Sequence, residues 1–532
     1  MSTAQQAYSK GRPPRATIKD DFGRSVTVDG SEEAFLPRGS VPPEQKAPIL
    51  VLGSGPCPEC AQNAVLSRFG TSGNTFLLES PRISEALRRE AGGCRDAKGM
   101  TACSAEKAME LLPHAHILWH RQNLRLDSRF WGPFEGALTA LELKFSPSAL
   151  RGGTVQDFPQ RTVLLPGGEN RLLTRELTQA FLECGLEVRS LPERPDASAA
   201  VQALRTSENA FLFSVNMRGL DAEGRIFHLL RTCGIRCAVW FVDNPWHILS
   251  GISLPWWQEA DLFVTDDSFV PELRQYGARH VCHLPLAAAQ CMGKYRSEAA
   301  AEPESEYPPI LFVGSSRFPD RERFFAAARI PETELAEALS GIARGERPDA
   351  AYWQKMLGEQ LWPGYGARRV GLGAETCSAA ARAAWVRAAL PLGVELHGDE
   401  GWHALLPPQA KVLPPVDYYA DLPALYNRAP ITLNATSLLL PHGLTQRHFD
   451  VWAAGGFLLT DATPGLDIFP EELTREIRAA CPDALAEHAA RLLTDARRRT
   501  ELKEAWQKEI SVHHCYSHRI DTVLSALAKK SA

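Results

Sequence analysis

Between residues 161 and 284 one pattern keeps returning: a short apolar run, a turn, a helix-length amphipathic stretch and a closing glycine. Thr162-Val163-Leu164-Leu165 leads into the turn Pro166-Gly167-Gly168. Leu173, Leu177, Ala180 and Cys184 then recur at helical spacing before Gly185 stops the helix. The unit returns as Ala210 to Val215, a helix to Cys233, Gly234 and the strand Cys237 to Val242. It returns again as Asp261 to Thr265, a short helix to Tyr276, Gly277 and a last strand over His280 to Leu284. Parallel strands cannot be joined by hairpins and need crossovers of about this length. The stretch is therefore expected to be a doubly wound α/β sheet.

The rest of the 532 residues is too long for one further core. Residues 1–47 show neither helical nor strand periodicity and read as a flexible leader. From 48 to 150 a further α/β domain is expected, with strands at Ile49 to Leu52, Thr75 to Glu79 and Ala115 to Trp119. Residues 161–289 form the repeated block, and 290–308 have the polar, proline-containing composition of a linker. The α/β pattern restarts at Pro309 to Gly314 and runs to 485, with strands at Val394 to Leu396, Lys411 to Leu413, Ile431 to Leu433 and Phe457 to Thr460. Residues 486–532 read as C-terminal helices.

Composition excludes several classes. Hydrophobic residues at 44% and charged residues at 23% are globular values. A net charge of −5 argues against a nucleic-acid partner held by phosphate contacts. No apolar run reaches the ~18–20 residues of a membrane span, and Met1 to Gly23 lacks the apolar core of a secretory signal. Twelve cysteines at this length, many in apolar stretches, fit a reduced compartment. A cytoplasmic protein without integral membrane segments is the expectation.

In open parallel sheets ligands bind beyond the carboxyl ends of the strands. Those ends carry Asn216, Asp243-Asn244 and Asp266-Asp267 in the middle block. In the last block they carry Gly314, Ser315, Ser316, Arg317, His397-Gly398, Asn434 and Asp461. The most specific stretch is Leu440 to Asp461, LPHGLTQRHFDVWAAGGFLLTD. It reads as a turn at Gly443, a helix from about Thr445 to Ala454, a Gly455-Gly456 stop and a strand ending at Asp461. A helix N-terminus there would offer N–H groups and a positive dipole end to a diphosphate. Arg447 would add a guanidinium fork, and Asp450 would accept from sugar or ribose hydroxyls.

This segment resembles the C-terminal signature of the spore-maturation-type (CgeB-like) glycosyltransferases. His397 to Trp402 resembles that family's Gly–x–x–Trp turn, and Tyr426-Asn427 with Ile431 to Asn434 its Tyr–Asn…Leu–Asn step. His513 to Arg519 resembles its terminal His–x–x–Tyr–x–His–Arg helix, and Phe241 to Pro245 its Phe–Val–Asp–Asn–Pro step. The likeness covers residues 161–528. It implies a GT-B fold, two Rossmann-like domains facing a cleft, and transfer of a sugar from a nucleotide-sugar donor to a glycan or protein acceptor. It further implies Gly314, Ser315, Arg317, Asn434, Gly443, Arg447, Asp450 and Asp461 as donor-side residues, with no metal and no cofactor beyond the substrate. The wider GT-B pattern has two glutamates eight apart, whereas this chain has His442 and Asp450 there.

Each residue also has a plainer reading. Asp243 is a candidate base for the acceptor hydroxyl, or the cap of the helix after it. Asp450 is alternatively a solvated helix-face carboxylate, Arg447 a surface ion-pair partner, and Asp266-Asp267 a cap pair. Gly53-Ser54-Gly55 with Glu79 is a fragment of a dinucleotide or S-adenosylmethionine fingerprint lacking its third glycine, since Pro58 stands there. Cys57 and Cys60 have zinc or redox spacing without a matching second pair. His513, His514 and His518 fit helix packing or donor contact better than a metal cluster. The rival from another class is a non-catalytic nucleotide-sugar-binding or scaffold protein on the same fold.

Overall fold

The structure, a computed structural model, describes residues 14–42, 46–71, 73–91, 99–145, 161–168, 171, 173–207, 209–289, 292 and 308–528. The linker expected over 290–308 lies outside them apart from positions 292 and 308.

The leader expected over 1–47 is replaced, within its described part, by three strands. β1 (Arg15–Lys19) and β2 (Ser25–Asp29) form an antiparallel hairpin. Ile18, Val26 and Val28 turn inward, with Ala16 partly buried beside them, onto Ile83, Leu87 and Leu126. A single apolar residue at every second place is the period of a half-buried strand, and the intervening charges hide it. β3 (Phe35–Arg38) pairs antiparallel with β7 (His116–His120) and so joins the first domain's sheet. That sheet also holds β4 (Ile49–Leu52), β5 (Thr75–Leu78) and β6 (Met100–Ala102), in the order β3-β7-β4-β5-β6.

The middle sheet is entirely parallel. It comprises β8 (Thr162–Pro166), β9 (Glu187–Leu191), β10 (Ala210–Val215), β11 (Arg236–Phe241), β12 (Asp261–Val264) and β13 (His280–His283), ordered β13-β12-β11-β10-β8-β9. β9 has only one fully buried residue because it is an edge strand, and that polarity conceals it in the sequence. The interior strands β10 and β11 are apolar on both faces, as crossover helices require.

The last sheet repeats the plan. β14 (Ile310–Val313), β15 (Val394–His397), β16 (Val412–Leu413), β17 (Ile431–Asn434), β18 (Leu458–Asp461) and β19 (Arg478–Ala479) are parallel in the order β16-β15-β14-β17-β18-β19. Strand order reverses between β8 and β10 in one sheet and between β14 and β17 in the other, which opens a crevice at each reversal. Two doubly wound domains joined in this way are the GT-B architecture. The tail returns to the middle domain: Arg519 Nε donates to the Pro285 carbonyl at 2.9 Å, and the Ala288 N–H donates to the His514 carbonyl at 2.7 Å. One continuous apolar core runs from Leu50 in the first domain to Val523 in the tail helix.

Candidate active site

At the reversal between β14 and β17 the sequence brings a cation under a strand end. Arg447 Nε donates to Asn434 Oδ1 at 2.7 Å, and its Nη1 donates to the Val313 carbonyl. Gly314 lies so close that a Cβ there would stand 3.3 Å from Arg447 Nη1, so the position has little room for a side chain. Arg447 Nη2 makes no hydrogen bond with the described residues. Burial pulls the guanidinium below its ordinary pKa range, as happens to a cation removed from water. Ser315 is exposed at the lip of this crevice, while Ser316 is tied down by Asp399 through N–H and hydroxyl bonds of 2.7 and 2.6 Å.

Other expected donor contacts are placed differently. Arg317 is exposed and pairs with Glu322 at 2.8 Å. Asn434 is fully buried, accepting from Arg447 and Thr445 and donating to Thr460 Oγ1 at 3.1 Å, so it positions Arg447. Asp461 is 3% exposed, ion-paired with Arg347 and bonded by the Thr436 N–H at 2.8 Å. Burial pushes its carboxyl up, but the Arg347 charge and the Thr436 bonds outweigh this and hold it below the ordinary range. Gly443 is buried in the turn, its N–H bonded to the Leu440 carbonyl at 3.1 Å.

The expected helix is shorter than its pattern, Arg447–Ala453, and the segment before it bonds to the middle domain through the His442 N–H and Gln446 Nε2. Asp450 is not open to a sugar. It is 1% exposed, and both oxygens are taken: Gln446 Nε2 at 3.0 Å and the Ala289 N–H at 3.2 Å donate to Oδ1, and the Tyr418 hydroxyl donates to Oδ2. Burial raises its pKa to about 7. Gln446 also donates to the Ala287 carbonyl at 2.7 Å and accepts from Tyr516 at 2.9 Å. Asp450 and Gln446 thus join the two domains and the tail helix. Tyr418 and Ala289 carry no local signal, since Asp450 lies far from them along the chain, whereas Gln446 stands inside the Leu440–Asp461 stretch and Tyr516 inside the His513–Arg519 motif.

On the middle domain, Asp243 stands past β11 with its Oδ2 accepting from Asn216 Nδ2 at 2.7 Å. Asn216 Oδ1 accepts from the Val242 N–H at 3.0 Å, so one amide holds both the strand end and the carboxylate. Asn216 and Met217 adopt left-handed backbone, with φ of 50° and 63°, an arrangement kept only where the surroundings enforce it. Asp243 stays accessible to solvent, yet protein atoms surround it closely enough that desolvation raises its pKa, against the Asn216 bond and the Arg218 charge. The capping role falls to its neighbour: Asn244 Oδ1 accepts from the Trp246 N–H at 2.9 Å, and Asn244 Nδ2 donates to the Leu439 carbonyl at 2.8 Å.

Asp266 does not cap the helix Phe269–Gln275, whose N-cap is Ser268; it closes the turn before it by accepting from the Ser268 N–H at 2.9 Å, and it also receives the His442 N–H at 2.9 Å across the domain boundary. His442 Nδ1 lies 2.7 Å from Asp267. Among the described residues this trio is the group near enough to share an ion, and its atoms are already engaged with one another. A second inter-domain space, about 210 Å³, is lined by Glu176, Ala289, Tyr419 and Tyr516. Of the tail histidines, His514 is buried and bonded by Arg519 Nη2 at 2.9 Å, and His518 accepts from the Cys515 N–H at 3.1 Å. Helix packing accounts for both.

In the first domain the fingerprint fragment closes on itself. Glu79 Oε2 accepts from the Ser54 N–H at 2.7 Å and the Ser54 hydroxyl at 2.8 Å, while Oε1 takes the Ser80 N–H at 2.8 Å. The carboxylate of that fragment is thus occupied by its own loop. Cys57 and Cys60 are buried with sulfurs 3.3 Å apart.

Residues 379–525 match the family model described as "Glycosyl transferase-like". That stretch contains Asn434, Gly443, Arg447, Asp450 and Asp461. No curated protein matches the chain. T4 phage β-glucosyltransferase is similar in structure at 8% identity, over 70% of this chain and 99% of that one, with a TM-score of 0.37. Anabaena HepE in complex with UDP is similar at 9% identity over 70% and 100%, TM-score 0.36. A mutant O-GlcNAc transferase of Thermobaculum terrenum is similar at 12% identity over 80% and 81%, TM-score 0.37. No helix among the described residues is long and apolar enough to cross a membrane.

Proposed function

We propose that the protein is a glycosyltransferase that moves a sugar from a nucleotide-sugar donor to a hydroxyl of a glycan or protein acceptor. The observation that carries this is Arg447, with one uncommitted guanidinium nitrogen at the strand-order reversal of a domain that matches a glycosyl transferase-like model. A diphosphate placed over Gly314 and Ser315 would meet that nitrogen and little competing charge. The donor contacts are then fewer than expected, Gly314, Ser315 and Arg447, with Asn434 and Asp461 as their supports. Membership of the spore-maturation-type subfamily belongs to the same proposal and rests on the quoted motifs.

Across the cleft Asp243 is the base. The acceptor oxygen attacks the anomeric carbon, the bond from that carbon to the diphosphate oxygen breaks, and the acceptor proton passes to an Asp243 oxygen. A carboxylate whose pKa is raised by desolvation suits this task better than one stabilised by an ion pair. The Asn216 amide orients it.

The deciding experiment screens nucleotide sugars by thermal shift, then measures nucleoside diphosphate release with candidate acceptors. Stabilisation by one donor, with at least about tenfold weaker binding in Arg447→Lys, is the expected result. Binding without release in any acceptor mixture would favour the non-catalytic reading. Donor affinity indifferent to Arg447→Lys would remove this crevice from the assignment.

A further inference from the structure

A further cavity, about 350 Å³, lies at the end of the middle sheet opposite the transfer cleft. Its walls come from the end of the helix Arg225–Thr232, the 3₁₀ segment Pro255–Glu259 that leads into β12, Arg279 ahead of β13, and the start of the helix Ser128–Glu142 of the first domain. These are amino ends of strands, so the space is separate from the transfer cleft. Its volume falls in the range of small-molecule sites.

Its charge is lopsided. Arg129, Arg231 and Arg279 converge on one carboxylate, Glu259, at 3.9, 3.2 and 2.7 Å. Three guanidinium groups against one carboxylate leave a surplus of two positive charges. Glu259 Oε1 itself has no hydrogen bond, so its pairing with Arg129 is loose. His228 forms part of the wall, but its Nε2 is closed off by protein atoms and meets no ligand there. Burial, reinforced by the Arg231 charge, holds this imidazole at a pKa of about 4, so it adds no charge at pH 7 and the surplus is that of the arginines.

We infer that this cavity binds a small phosphate monoester, the phosphate taken by the forks of Arg129, Arg231 and Arg279. A dianion cancels the surplus charge, and guanidinium forks match phosphate oxygens two at a time. The ligand would touch both the first and the middle domain, which gives the first domain a binding role that its own closed Ser54–Glu79 loop does not supply.

The test is calorimetric titration of the full chain at low salt with ribose 5-phosphate, and with ribose as comparator. Saturable binding of the phosphate ester alone is expected, weakened at least about tenfold in Arg231→Gln and in Arg279→Gln. Both side chains are about half exposed, so melting temperatures of these variants report any loss of fold separately. Arg447→Lys, in the transfer cleft, should leave this affinity unchanged. No heat at millimolar ester, equal binding of ribose, or affinity insensitive to both arginine variants would each overturn the assignment. None of these outcomes depends on whether sugar transfer is found.

Discussion

At the scale of single residues, two aspartates expected to share one cleft have different jobs. Asp243 is accessible, desolvated and held by Asn216. Asp243→Asn keeps its shape and removes its basicity, so turnover should fall about 10²–10⁴-fold with donor affinity and melting temperature retained. Since Asn244 and not Asp243 caps the next helix, a variant that melted early but turned over normally would contradict this reading. Asp450 is a joint rather than a ligand. Its folded pKa, about 7, is raised above the unfolded carboxyl value, so the native state binds the extra proton. Its stabilising share is therefore complete below the unfolded value near 4 and is lost as pH rises through 7, a loss on the order of 4 kcal/mol at most. Asp450→Asn should flatten the stability profile between about pH 4 and 7, measured by urea unfolding. An unchanged slope would show that Asp450 does not titrate there.

At the scale of elements, the sequence was most readable where structure is local. Apolar runs such as Cys237 to Val242 announce interior strands, because crossover helices cover both faces. The edge strand β9 and the hairpin β1–β2 escaped, since half their residues face water. The Arg447 helix was found, but its length and the fate of Asp450 were not. They depend on Ala289, Tyr418 and Tyr516, residues no local pattern links to it. The crevice under β14 was legible through Gly314 and Arg447, whereas the burial of Asn434 and Asp461 required knowing that Arg347 and Thr445 reach them. The tail helix gives a test at this scale. Arg519 is 8% exposed and donates to the carbonyls of Pro285 and Leu286. Arg519→Met keeps length and loses these donors, so stability should drop by about 2–3 kcal/mol, read from denaturant midpoints. A change under about 0.5 kcal/mol would mean the tail is held by its apolar face alone.

Across the whole molecule, the question is whether the first domain is separable. The sequence suggests that a fragment spanning 153–532 folds alone and binds donor, because the boundary falls in a glycine-containing loop. The packing argues otherwise. The helix Ser128–Glu142 presses its glycines onto the helix Arg225–Thr232: a Cβ on Gly132 would stand 2.3 Å from the His228 ring, and one on Gly136 2.2 Å from Thr232 Oγ1 and 2.3 Å from the His228 carbonyl. Trp131 and Phe134, on the same helix, are buried in the core that continues into the middle domain. Removing the first domain would expose that face, and an aromatic side chain alone covers ~150–250 Å². The first and middle domains should therefore melt as one unit, with a single calorimetric transition. Gly136→Val in the full chain tests the contact without deletion. The methyl groups meet backbone as well as side chain, so overpacking should cost about 3 kcal/mol or more and lower that transition by several degrees. Donor-induced stabilisation should persist, because the cleft lies at the other end of the sheet. Two separate transitions in the parent protein, or a Gly136→Val variant as stable as the parent, would make the first domain an independent passenger.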